Sequence, residues 1–89
     1  MNRRYKSIKK KLIEQLSPDF LEIRDDSALH NSHRNIKEGQ IETHFYIKIK
    51  SSIFENKSKL TMHKMVYEIL NDEFTNGLHA LELDLSHNK

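Results

Sequence analysis

The stretch Thr-His-Phe-Tyr-Ile-Lys-Ile-Lys at residues 43–50 alternates without a break, with Phe45, Ile47 and Ile49 on one side and His44, Tyr46, Lys48 and Lys50 on the other. Successive side chains of a strand point to opposite faces, so this segment reads as a half-buried β-strand with a polar outer face. The same period returns at 78–85, where Leu81, Leu83 and Leu85 oppose Glu82 and Asp84. A shorter alternation, FLEIR at 20–24, runs into Asp25-Asp26-Ser27, which closes it.

Elsewhere the period changes. Tyr5, Ile8, Leu12, Ile13 and Leu16 recur every three or four residues, the stripe of an amphipathic helix that Pro18 stops. Met62, Met65, Val66, Ile69, Leu70 and Phe74 form the strongest helical stripe in the chain. Ser58 suits its N-cap, with a helical turn before it, and Asn76-Gly77 suits its C-terminal stop. The order αββααβ predicts one α+β domain over residues 1–89, a small three-stranded mixed sheet with helices on one face and the other face open. That open face should carry His44, Tyr46, Lys48 and Lys50 beside Glu82 and Asp84. Such a face is either salt-paired and solvated or a platform on which bases stack.

The charge is distributed unevenly. Residues 1–11 hold Arg3, Arg4, Lys6, Lys9, Lys10 and Lys11 and no acid, while the other nine basic residues share the rest of the chain with all thirteen acidic ones. A basic end of this kind is either a solvated helix face or an electrostatic attractor for phosphate. The chain has no cysteine, which excludes a disulfide framework, a thiolate nucleophile and an all-cysteine metal site built from this chain alone. No apolar run reaches the roughly 20 residues that span a bilayer, and no secretory apolar region opens the chain, so a cytoplasmic protein without a membrane partner is expected. There is no nucleophile elbow or phosphate loop, and no enzyme is expected.

Residues 27–42 contain Gly39 and no sustained period, and unstructured connections of that length are frequently functional. Within them LHNSHRN, residues 29–35, places His30 and His33 three apart. In a loop that spacing does not by itself define a metal site. Strand parity groups His79 with Leu81, Leu83 and Leu85, a pattern that also fits a half-buried structural histidine. His63 lies at the edge of the helical stripe, while His44 and His87 attract no functional assignment.

The segments LEIRDDSALH (21–30), ETHFYIKIKSSIF (42–54), MHKMVYEILNDEF (62–74) and LHALEL (78–83), in this order and spacing, resemble the BolA family. The resemblance covers nearly the whole chain. It implies a domain similar to class II K-homology folds and a partner role with monothiol glutaredoxins in iron–sulfur cluster handling and iron regulation. In such heterodimers a bridging [2Fe-2S] cluster is shared between a glutaredoxin cysteine, a glutathione thiol and residues of the BolA partner.

Carried over by position, the family's histidine at the start of the last strand falls on His79 and its loop ligand on His30, with His33 as the rival. Partner contact falls on Met62, His63 and Lys64, which stand where the family has Arg-His-Arg. Asn56 stands where the family has a glycine in a Phe-x-Gly stretch, a substitution suited to a left-handed conformation. The isolated chain is then expected to be a monomer without a cofactor. An alternative implied by the K-homology likeness is a transcriptional regulator holding DNA through Arg3, Arg4, Lys57, Lys59 and Lys64. The Gly-x-x-Gly clamp of K-homology domains is absent, because Gly39 and Gly77 are the only glycines.

Overall fold

The computed structural model describes residues 3–26 and 43–87. The chain runs through α1 (Arg3–Leu16), β1 (Phe20–Asp25), β2 (His44–Lys50), a single 3-10 turn (Ser52–Phe54), α2 (Lys59–Ile69), α3 (Asn71–Thr75) and β3 (Ala80–Ser86). β2 is the central strand, antiparallel to β1 and parallel to β3, so the sheet is mixed. The expected α+β architecture holds. No helix among the described residues is long and apolar enough to cross a membrane.

The alternation of β2 becomes its burial pattern. Phe45, Ile47 and Ile49 are buried, and they meet Ile8, Leu12 and Leu16 of α1 and Met62 and Val66 of α2 in one core that Phe54, Leu70, Leu78 and Leu85 complete. Burying each such side chain contributes about 1.5–3 kcal/mol, which makes these apolar stripes the main source of cohesion in a domain this small.

Two departures from the periodicity matter for the site. The stripe from Met62 to Phe74 is not one helix: at Leu70 the backbone opens to φ −100°, ψ 14°, ending α2 and starting α3. Leu70 itself is fully buried, so the core holds the bend in place. The redirected short helix stacks Phe74 on Tyr67, ring centres 5.2 Å apart, and turns Glu73 inward, where it is 6% exposed. The last strand also begins later than its alternation suggests. Leu78 is a core residue and His79 precedes the ladder, exposed, so His79 is not the half-buried residue that strand parity allowed.

Polar joints close the ends. The buried Ser51 hydroxyl donates to the Leu16 carbonyl at 2.7 Å and accepts from the Ile53 N–H at 3.2 Å, capping the end of α1 and the start of the 3-10 turn together. Ser58 caps α2 by accepting from the Thr61 N–H at 3.1 Å. Asn56 adopts φ +65°, the left-handed conformation its position called for. At Gly77, φ is +120°, and the Arg4 guanidinium lies so close that a Cβ there would stand 2.9 Å from Nη2.

Candidate functional site

The parallel pairing of β2 and β3 starts both strands at one end of the sheet, with His44 opposite Ala80. Thr43, 5% exposed, organises that end. Its carbonyl accepts from the N–H groups of His79 at 2.8 Å and Ala80 at 3.2 Å, so the backbone of His79 is tied to the residue that precedes His44. The two imidazoles consequently meet edge to face, ring centres 5.8 Å apart and planes inclined at 81°.

The position of His44 is held from two sides. Its Nδ1 lies 3.0 Å from the Thr43 hydroxyl, and its carbonyl accepts from the Asp26 N–H at 2.8 Å. Asp26 is in turn gripped by Arg24, whose Nε and Nη2 donate to its two carboxylate oxygens at 2.8 and 3.2 Å. This bidentate pair raises the Arg24 pKa, with the hydrogen bond to Asp26 as the largest cause. The arrangement puts one exposed and one half-buried imidazole on a rigid sheet end, where they could serve as nitrogen ligands.

Of the other residues singled out from sequence, His30 and His33 lie outside the described residues. Met62 is 7% exposed and belongs to the core, leaving His63 and Lys64 as the parts of that helix start that a partner could reach. His63 donates from Nδ1 to the Lys59 carbonyl at 2.8 Å, which orients its Nε2 away from that helix turn. Lys57, Lys59 and Arg3 are exposed. Arg4 is not a free cation for DNA: it donates to the Asn76 carbonyl at 2.6 Å and lies 3.7 Å from Glu73 Oε1, which Lys11 also binds.

The open sheet face is salt-paired. Lys48 lies 3.9 Å from Asp84, and the Arg24 guanidinium lies 4.5 Å from the centre of the Tyr46 ring. One face of the Tyr46 ring, on β2's outer side, is thereby covered by a cation rather than open to a base. The pairing of His44 with His79 was missed by sequence reasoning, because parity places the two on opposite sides of their strands. Only the parallel register, together with the departure of His79 from the ladder, brings them together.

Comparison with known proteins adds a family to this geometry. The family described as BolA-like protein matches residues 12–89. The chain is 38% identical over 79 residues to SufE-like protein 1, chloroplastic/mitochondrial, of Arabidopsis thaliana, covering 85% of this chain but 21% of that protein. It is 37% identical over 78 residues to the DNA-binding transcriptional regulator BolA of Haemophilus influenzae, covering 88% of this chain and 71% of that one. Among solved structures, the BolA domain of SufE1 from Arabidopsis thaliana superposes with a TM-score of 0.86 at 34% identity, covering 98% of this chain and 94% of that one.

Proposed function

The chain belongs to the BolA-like protein family, and from that premise we propose that it is a binding adaptor that docks on a monothiol glutaredoxin and shares a bridging [2Fe-2S] cluster with it. The observation that carries this reading is the exposed His79 imidazole, whose backbone the Thr43 carbonyl anchors at the end of the sheet. The donor set fits: imidazole replaces thiolate on one iron of some [2Fe-2S] centres, and a chain with histidines but no cysteine can complete one iron only if thiols from elsewhere complete the other. When bound, the cluster supplies the electron-accepting and iron-carrying chemistry. The chain supplies the fixed ligand His79, a loop ligand from His30 or His33, and a docking surface that includes His63 and Lys64.

The proposed role is in cluster assembly, trafficking or iron regulation, without catalysis by this chain. Mixing the protein with cluster-loaded glutaredoxin and glutathione is expected to change the visible absorption and circular dichroism, and His79→Ala is expected to abolish the change. A His79→Ala mixture with the wild-type spectrum defeats the ligand assignment.

A second reading is favoured by the name of the Haemophilus influenzae relative, a DNA-binding transcriptional regulator. In this chain it would rest on Arg3, Lys57, Lys59 and Lys64, since Arg4 is engaged with Asn76 and Glu73. Phosphate contacts of that kind weaken steeply with salt. A gel-shift titration that finds no binding at low salt, or binding indifferent to salt, removes it.

A further inference from the structure

We propose that His44 and His79 chelate a single divalent transition-metal ion in the chain alone, without iron, glutathione or a protein partner. His44 begins β2 and His79 immediately precedes β3, with Thr43 bonded to the His44 ring through its hydroxyl and to the His79 backbone N–H through its carbonyl. A ligating imidazole with a metal–nitrogen distance of about 2.0–2.1 Å places the ion about 3.2 Å from the ring centre. Two such rings around one ion have centres about 5.2 Å apart at the tetrahedral angle and about 5.8 Å apart when the angle widens to about 130°. The observed separation is 5.8 Å, the value for the wider angle, and because the rings meet edge to face with planes at 81°, a side-chain rotation brings one nitrogen of each onto a common ion.

The surroundings of His44 are compatible with a ligand role. Histidine ligands commonly donate one ring N–H to a neighbouring oxygen, which fixes the tautomer and leaves the other nitrogen for the metal. The Thr43 hydroxyl, 3.0 Å from Nδ1, can accept in this way, directing the lone pair of His44 to Nε2. Two nitrogen ligands with no sulfur suit zinc, nickel or copper ions. No group of three or more metal-binding side chains occurs among the described residues, so water or an outside ligand fills the remaining positions.

This site differs from the shared cluster in its second ligand, which comes from β2 rather than from the loop, and it does not depend on that reading. Titration of the full chain with Zn²⁺ alone, followed by calorimetry and by the ¹⁵N resonances of the histidine rings, tests it. One equivalent of Zn²⁺ is expected to shift a ring nitrogen of His44 and of His79 together. His44→Asn and His79→Asn are each expected to weaken binding by at least about tenfold, the smallest loss typical of disturbing a metal site. Zn²⁺ that shifts only one of the two rings or neither, or that binds His44→Asn as tightly as wild type, overturns the proposal. The ring resonances are read on the wild-type chain, so the test does not depend on how the variants fold.

Discussion

Lys11 Nζ stands 2.7 Å from Glu73 Oε2, joining the first helix to the last across 62 residues of sequence. The Ser7 hydroxyl donates to the same oxygen, and Arg4 completes the cationic side of the pocket. Burial pushes the Glu73 pKa upward, but the hydrogen bonds from Lys11 and Ser7 and the charges of Lys11 and Arg4 outweigh it and leave the carboxyl below its usual value.

A carboxyl whose pKa is depressed on folding binds its proton less readily in the native state, so its contribution is complete above the unfolded pKa and is lost as pH falls through the folded one. Glu73→Gln is therefore expected to cost about 1–3 kcal/mol near neutral pH. The difference from wild type should shrink once pH drops below the ordinary value of 4.5 and vanish when Glu73 is protonated in the folded protein. Urea melts of both proteins across this range measure it. A difference that stays constant to low pH contradicts the assignment.

Ser51→Ala removes a donor to the Leu16 carbonyl and an acceptor for the Ile53 N–H at a fully buried position. The expected loss is about 1–3 kcal/mol, at the level of a buried carbonyl left unsatisfied. The denaturation midpoint should fall with little change in slope.

Asn56 holds φ +65°, where a Cβ is unfavourable and Asn is tolerated better than most residues. Asn56→Ala is expected to destabilise by about 1–2 kcal/mol, and Asn56→Gly to be neutral or better. Thermal midpoints that place alanine level with glycine would falsify the left-handed assignment.

Lys48 and Asp84 pair on the solvent side, with side chains 37% and 53% exposed, so Asp84→Asn should change stability by less than about 1 kcal/mol. The same variant probes whether the open sheet face, rather than the helical cations, could hold a nucleic acid. If the sheet face bound DNA, removing this acid would strengthen binding at low salt. Unchanged binding, measured by fluorescence anisotropy, assigns that face a solvated role.

Much of this architecture was legible because apolar period and burial coincide. The stripe from Tyr5 to Leu16 delimits α1, and Phe45, Ile47 and Ile49 alternate as the inner row of β2. The site was less legible, for two reasons of geometry. Glu73, in the polar run Asn-Asp-Glu, reads as surface, and only the bend at Leu70 turns it onto α1. His44 and His79 are far apart in sequence and opposite in strand parity, and no local pattern encodes a parallel register.

The reach of Arg4 to the Asn76 carbonyl, 72 residues away, also sets a clock. At a synthesis rate of about 5–20 residues per second, the first helix emerges roughly 4–14 s before its last partner. During that interval Arg4 and Lys11 lack the carboxylate that Glu73 later supplies, and the nascent chain presents a cationic amphipathic helix beside the polyanionic ribosome. Docking of α1 is thus a late event in the birth of the protein, and a chain stalled before Glu73 would display that helix without the carboxylate that receives Arg4 and Lys11.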